Sequence, residues 1–167
     1  MSKKFFTLTV KEIRPETADA VTVAFGIPED IKSEFAYQAG QYLTLKFSIN
    51  GKEVRRAYSM CSSPLESDIA VTVKRVKKGL VSNYIADKLQ VGEEVEVMQP
   101  DGRFFPSLDG DQRKTYFLFG AGSGITPLMA ILKTILEEEP QSKVHLLYGN
   151  RSEESILFYD QLEQLKK

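Results

Sequence analysis

The sequence predicts a six-stranded antiparallel β-barrel over residues 1–110, followed by the first β-α-β-α portion of a doubly wound α/β domain over 111–167. Three observations predict it. Hydrophobic residues alternate with a period of two up to about residue 110 and recur at a helical period of about 3.6 beyond it. Turn signals at Pro28, Asn50-Gly51, Pro64, Gly79, Gly92 and Gly102 cut the first part into short runs. In the second part, KTYFLFG and KVHLLYG, two short apolar runs ending in glycine, alternate with two amphipathic stretches.

Each element has its own signal. Val21, Val23 and Phe25 alternate with small or polar residues, as do Leu43, Leu45 and Phe47. Asn50-Gly51 then supplies the two positive-φ residues of a tight hairpin, and the chain returns through KEVRRAYS. Ile69, Val71 and Val73 form the next strand, and Val95 and Val97 the one after Gly92. Between them, Val81, Tyr84, Ile85 and Leu89 share one face of a helix in GLVSNYIADKL. KTYFLFG is expected as a parallel strand buried on both faces. The following helix carries a stripe of Leu128, Ile131, Leu132, Ile135 and Leu136, with Thr126 as N-cap and Pro127 at its first position. KVHLLYG repeats the strand, and SEESILFYDQLEQLKK the helix, with Ser152 as cap and Glu153 and Glu154 suited to its dipole. Two strands and two helices are too few to bury both faces of a sheet, so the second part reads as half a domain, truncated or completed by dimerisation.

Bulk properties exclude several functions. With 22 Lys and Arg against 23 Asp and Glu, no global field favours nucleic acid or a membrane surface. The chain carries neither a signal-peptide pattern at MSKKFFTLTVKE nor an apolar run near the roughly 18 to 20 residues that span a bilayer, so a cytoplasmic location is expected. A single cysteine cannot form an internal disulfide, an iron–sulfur centre or a structural zinc site. No metal site is expected, and any redox chemistry must use an organic cofactor.

Two motifs carry chemistry. GAGSGITP, residues 120–127, joins an apolar strand to an amphipathic helix. Its glycines allow a tight turn and close approach of a ligand, and the helix start offers free N–H groups. This suits a pyrophosphate, although Ile125 stands where the G-x-G-x-x-G fingerprint has its third glycine, and a simple tight turn is the alternative. RRAYSMCSSP, residues 55–64, continues the hairpin strand, so Arg56 and Tyr58 point to one face. A guanidinium and an aromatic plane there fit a ligand that is anionic at one end and a flat ring at the other, with the Ser59 hydroxyl near its polar edge. The alternative is a surface arginine beside a half-buried tyrosine.

Arg56-Ala57-Tyr58-Ser59 resembles the Arg-x-Tyr-Ser signature of the ferredoxin–NADP reductase superfamily. The order of motifs also matches: barrel, glycine-serine segment opening a helix, then a Gly-rich loop ending in Thr-Pro. The string RAYSMCSSP is most similar to reductase components of oxygenases, of the phenylacetyl-CoA oxygenase and ketosteroid hydroxylase types. The resemblance implies a flavin-binding barrel in which Arg56 binds the FAD pyrophosphate, Tyr58 packs on the isoalloxazine and Ser59 lies near N5. It further implies that backbone groups of Lys74, Arg75 and Val76 line the flavin, and that Gly79, Val81 and Ser82 hold the FAD phosphates. Gly120, Gly122, Gly124 and Thr126 match the loop for the nicotinamide dinucleotide pyrophosphate. The strand end Gly149-Asn150-Arg151-Ser152 meets the adenosine ribose in similar sequences, and Arg151 without a neighbouring acid favours NADPH over NADH. The implied activity is hydride transfer from NAD(P)H to FAD, then single-electron release to an iron–sulfur or flavin acceptor, with Tyr58 and Ser59 nearest the chemistry. Two family features are absent from the sequence: a Cys-Gly-Pro type motif near the hydride path, and the four-cysteine iron–sulfur domain of the oxygenase reductases. Complete turnover by this chain is therefore not implied.

The remaining conspicuous residues read more plainly. Cys61 lacks a neighbouring base and reads as a small packed residue, and His145 as structural. KRVKK, residues 74–78, suits either a solvated turn or the docking of an acidic redox partner. Glu137 to Glu139 read as a solvated helix end. Three alternatives stay open: a non-catalytic FAD-binding electron-transfer subunit, a cofactor-free barrel interaction module, and an inert fragment completed by homodimerisation.

Overall fold

The structure is a computed structural model that describes residues 4–166. Its first part is a six-stranded antiparallel sheet of β1 (Phe5–Thr17), β2 (Ala20–Gly26), β3 (Tyr42–Ile49), β4 (Lys52–Ser59), β5 (Ile69–Lys74) and β6 (Glu94–Met98), in the order β4-β3-β6-β1-β2-β5. The sheet curls until its two edges meet at one bridge, Met60 to Val71. Leu8, Val10, Val23, Phe25, Leu43, Leu45, Val71 and Val97 fill the interior. The alternation read from the sequence is therefore the inward face of the barrel. The hairpin turn also forms as expected, with φ of 53° at Asn50 and 72° at Gly51.

Between β5 and β6, helix α1 (Leu80–Asp87) buries Val81, Ser82 and Ile85 against the barrel. The Tyr84 ring packs at 5.4 Å from that of Phe47 and ties the helix to β3.

The second part is a parallel pair, β7 (Thr115–Ala121) and β8 (Lys143–Gly149), with α2 (Ile125–Glu138) between them in sequence. The expectation that KTYFLFG is buried on both faces is corrected. One face, with Tyr116, Leu118, Leu146 and Tyr148, packs toward the core of α2, while Phe117, Phe119 and Leu147 on the other are 63%, 70% and 68% exposed. His145 belongs to this open face, stacked on Phe117 at 5.1 Å. A continuous apolar run signals two faces that favour cover, and α2 supplies cover to one.

Two caps differ from expectation. A 3-10 turn at Gly122–Gly124 precedes α2, which begins at Ile125, so Thr126 lies inside the first turn and donates its hydroxyl to the Ser123 carbonyl at 2.9 Å. Pro127 is then third in the helix, where a missing N–H still costs nothing. The helix expected after Ser152 is split. Ser152 and Ser155 form a capping box on a 3-10 turn at Glu153–Ser155, and α3 (Tyr159–Leu165) starts only after Phe158, whose φ is 60°. The break turns Leu157 and Phe158 into the core, where both are buried. Ile156, just before them, stays half-buried.

The core of α2 is shared with the barrel: Ala20, Ala39 and Cys61 pack with Ile125, Leu128, Met129 and Ile135. Glu139, expected to be solvated, is fully buried. Its carboxylate accepts bonds from the Asp109 N–H at 3.0 Å, the Ser142 hydroxyl at 2.7 Å and the Tyr116 hydroxyl at 2.9 Å. Burial alone would raise its carboxyl; these bonds and the Lys114 charge outweigh it and hold the group below the ordinary glutamate value. A lowered folded value means that the ionised network stabilises the fold fully above the unfolded glutamate value of about 4.3 and loses that contribution as pH falls through the folded value. We expect Glu139→Gln to be less stable at neutral pH and to lose less stability on acidification below about pH 4.5. Parallel melts of both proteins across that range check this, and identical pH profiles would contradict it.

Candidate functional site

The barrel is not closed along its whole length. Continuing the antiparallel register from Met60–Val71 would set Tyr58 opposite Val73 and Arg56 opposite Arg75, yet among the described residues no ladder joins β4 to β5. The seam stays open there. Arg56 pairs with Leu45 and Tyr58 with Leu43 across the β3–β4 ladder, and both leucines are fully buried inside. Directly opposed residues share a face, so Arg56 and Tyr58 lean into the seam from the interior side. Tyr58 packs on the barrel core, while Arg56 is exposed, its Nη1 donating to the Arg55 carbonyl at 2.7 Å. Burial raises the Tyr58 phenol, opposed by the Arg56 charge, so Tyr58 presents a neutral ring. Ser59, half-buried, follows at the strand end opposite Tyr42.

The other wall comes from the end of β5 and the start of α1. The Arg75 guanidinium is held by Asp87 at 2.6 Å and Lys74 approaches Asp19 at 3.7 Å, which leaves Val76, 62% exposed, at the rim. Gly79 directly precedes α1. A methyl group there would lie 2.5 Å from the Ser82 hydroxyl and 3.0 Å from the Val76 carbonyl, so the turn is as tight as a backbone allows. Val81 and Ser82 are buried, and the Ser82 hydroxyl accepts the Val76 N–H at 3.1 Å. What this turn offers a ligand is the N–H groups of the first turn of α1, which have no intrahelical acceptors, and the hydroxyl proton of Ser82. The three sequence-selected segments, Arg56–Ser59, Lys74–Val76 and Gly79–Ser82, thus meet around one seam.

The second group gathers at the C-terminal ends of β7 and β8, where Gly120 pairs with Tyr148 and Ala121 with Gly149. Gly120 allows α2 close approach: a methyl group there would meet Leu128 Cδ1 at 2.8 Å. The loop of Gly122 and Gly124 is tied to β8 by the Tyr148 hydroxyl, which donates to the Gly122 carbonyl at 2.9 Å. Thr126 is committed to the loop itself, and Arg151 is exposed beside it. Sequence reasoning gave no role to the side chain of Asn150. Its amide approaches the Tyr148 hydroxyl, but neither Nδ2 nor Oδ1, both buried, completes a hydrogen bond of normal geometry. An unsatisfied buried amide at the strand end where a nucleotide would sit is a sign of a missing partner.

A cavity of about 420 Å³ lies elsewhere, between β1, β2 and α3, with Arg14, Thr22, Cys61, Lys133 and Phe158 on its walls. Its charges are already matched, Arg14 with Glu16 and Lys133 with Glu66. The Cys61 thiol is pushed up to about 11 by burial, as befits a packed residue rather than a nucleophile.

A partly open antiparallel barrel, with an Arg-x-Tyr-Ser strand at its seam and a strand–glycine loop–helix unit after it, is the architecture of the flavin- and nicotinamide-binding domains of the ferredoxin reductase class. The chain belongs to the oxidoreductase FAD-binding domain family, whose profile matches residues 7–105; the oxidoreductase NAD-binding domain profile matches residues 118–167. It is 41% identical over 162 residues to one of the subunits of the 1,2-phenylacetyl-CoA epoxidase of Escherichia coli (strain K12), covering 97% of this chain and 46% of that protein. It is 44% identical over 161 residues to the ferredoxin reductase component of 3-ketosteroid-9-alpha-monooxygenase of Rhodococcus rhodochrous, covering 95% of this chain and 44% of that one. The chain therefore spans about half the length of these relatives. Among solved structures, a ferredoxin NADP+ reductase from Neisseria gonorrhoeae with bound FAD and NADP superposes with a TM-score of 0.80 at 25% identity, over 97% of this chain and 64% of that one. No helix among the described residues is long and apolar enough to cross a membrane.

Proposed function

We propose that this chain forms the FAD-binding barrel, residues 1–110, and part of the NAD(P)-binding unit, residues 111–167, of an oxygenase reductase that passes electrons from NAD(P)H through FAD to an iron–sulfur or flavin protein. The observation that carries this reading is the open β4–β5 seam with Arg56 and Tyr58 on its inner side. Bound FAD would supply two-electron acceptance from a nicotinamide and one-electron delivery onward.

In this reading the chain contributes binding and orientation. Arg56 holds the FAD pyrophosphate with a charge-assisted fork, and Val81 and Ser82 add backbone N–H groups at the start of α1, after the Gly79 turn whose own N–H is donated to the Val76 carbonyl at 2.7 Å. Tyr58 supplies an apolar plane against the isoalloxazine, Ser59 stands at its N5 edge, and the main chain of Lys74, Arg75 and Val76 closes the opposite rim. Gly120, Gly122, Gly124 and Thr126 shape the loop for the nicotinamide dinucleotide pyrophosphate. Arg151 offers a cation to a 2′-phosphate, which favours NADPH. Asn150 has an unused amide at the same strand end.

The barrel-facing rim carries exposed Lys77 and Lys78, which suits an acidic acceptor. A cytoplasmic location is proposed because the nicotinamide donor is found there. For assembly the proposal is a homodimer through the exposed Phe117, Phe119 and Leu147 face, since contiguous apolar surface marks interfaces; a monomeric mass in solution would refute it. The reading as a whole is tested by adding NADPH or NADH anaerobically to the FAD-loaded chain. Bleaching of the flavin band, faster with NADPH, is expected, and a band that neither nucleotide bleaches would leave a flavin carrier without a nicotinamide donor.

A further inference from the structure

We infer that Ser63, locked to Glu137 of α2, is a positioning residue: the Cys61–Glu66 turn is a clasp that fixes the helix carrying the dinucleotide loop against the strand carrying the flavin signature. The inference rests on the function proposed above for those two segments.

The clasp follows Ser59 by two residues, so it is an extension of β4. Met60 bridges to Val71, and the Cys61 N–H donates to the Ala70 carbonyl at 2.8 Å, which anchors the start of the turn on β5. Ser62 is buried and bonded on two sides, with its hydroxyl 2.8 Å from that of Tyr37 and accepting the Ala70 N–H at 3.0 Å. The turn is thus rigid with respect to the barrel.

Its other side grips α2. Ser63 is fully buried and donates its hydroxyl proton to Glu137 Oε2 at 2.5 Å, while its hydroxyl oxygen accepts the Leu65 N–H at 3.2 Å. Thr134, one turn before, lies 3.3 Å from the same oxygen, but its proton goes to the Ala130 carbonyl at 2.7 Å. Glu66 caps the turn from within, accepting the Ser63 N–H at 3.0 Å, and its carboxylate pairs with Lys133. Two side chains of α2, Lys133 and Glu137, are therefore held by the one turn.

Apolar contacts of Cys61 and Ala39 with α2 favour burial without fixing direction, since hydrophobic burial is non-directional. A short charge-assisted hydrogen bond fixes rotation and sliding of the helix. Because α2 runs directly out of Gly122–Gly124, its placement sets where the dinucleotide loop stands relative to Arg56 and Tyr58. Hydride transfer is sensitive to misplacement: about 1 Å can cost on the order of a hundredfold in rate.

The test compares the FAD-loaded full chain with Ser63→Ala, Glu137→Ala and Glu137→Gln, the last keeping an acceptor oxygen for Ser63. Amide hydrogen exchange across residues 125–138 and anaerobic flavin reduction by NADPH are read together. The alanine variants are expected to keep the flavin band, exchange α2 amides about tenfold faster with barrel strands unchanged, and lose maximal reduction rate more than half-saturation. Glu137→Gln is expected to recover most of both effects. Unchanged α2 exchange, barrel strands loosening together with α2, or Glu137→Gln as impaired as Glu137→Ala would overturn the inference. If NADPH fails to reduce even the unaltered chain, the nicotinamide reading fails, and the exchange pattern alone still decides for or against the clasp.

Discussion

Replacing Arg56 with alanine is expected to weaken FAD binding about 10- to 100-fold, the worth of losing charge-assisted hydrogen bonds to a phosphate. The stability of the flavin-free chain should change by no more than about 0.5 kcal/mol. The separation of the two effects follows from geometry. Arg56 leans into an open seam, is exposed, and its guanidinium contacts the protein at the neighbouring Arg55 carbonyl. Arg55, next in the chain, is instead held on the opposite face by Glu53 at 2.6 Å and lies over the Phe5 ring. Arg55→Ala is therefore the control that should leave flavin affinity nearly unaltered. FAD titration followed by fluorescence, with a urea melt of each flavin-free protein, checks both expectations. Equal losses of affinity in the two variants would mean that general charge, not the seam, attracts the ligand.

Gly79→Ala is the second change expected to have a large effect, and here stability and binding should fall together. The added methyl would lie 2.9 Å from Val76 Cβ as well as against Ser82 and the Val76 carbonyl, so the 76–82 turn must open. Overpacking of this kind costs about 1–3 kcal/mol. Opening the turn also releases the Val76 N–H from the Ser82 hydroxyl and moves the first N–H groups of α1 away from the seam. Flavin affinity should then drop by about tenfold or more, the loss of at least one phosphate hydrogen bond. Gly26→Ala, where a methyl meets nothing within 4 Å, serves as the matched glycine control. Wild-type affinity in Gly79→Ala would remove the start of α1 from the phosphate site.

Much of the barrel was legible because a half-buried strand announces itself by period two and a tight turn by its residues. Asn50-Gly51 and the Val81–Ile85 stripe are local signals, and the local structure obeys them. β1 was less legible as a strand: its register shifts twice, between Val10 and Glu12 and between Pro15 and Thr17, and such bulges break the alternation that pattern reading needs. The open face of β7 and β8 could not be read either, because an unbroken apolar run says that both faces favour burial and not which face receives a partner. The same holds for Leu157 and Phe158, where helix propensity yields to burial through a left-handed residue at Phe158.

For the candidate site, sequence brought out the segments but not how their side chains are committed. The Thr126 hydroxyl is committed to its own loop, whereas the Ser82 oxygen accepts the Val76 N–H and keeps its proton to donate. Arg75 reads as a backbone contributor, and its side chain is engaged by Asp87, a bond that raises the guanidinium and lowers the carboxylate. The contacts farthest apart in sequence were the least visible. Ser63 and Glu137 are separated by 74 residues, and Glu139 meets Asp109 across 30, so nothing local marks them as partners. Glu139 even reads against the helix dipole, and its burial is explained by three donors that only the tertiary fold assembles.

The central claim, that FAD is held in the β4–β5 seam, is tested most directly by the visible absorption spectrum of the purified chain after incubation with excess FAD and desalting. The account predicts a retained flavin band with altered vibronic structure in the unaltered chain and Arg55→Ala, and its loss on desalting in Arg56→Ala. A flat spectrum from the unaltered chain would contradict it and leave the seam without its flavin.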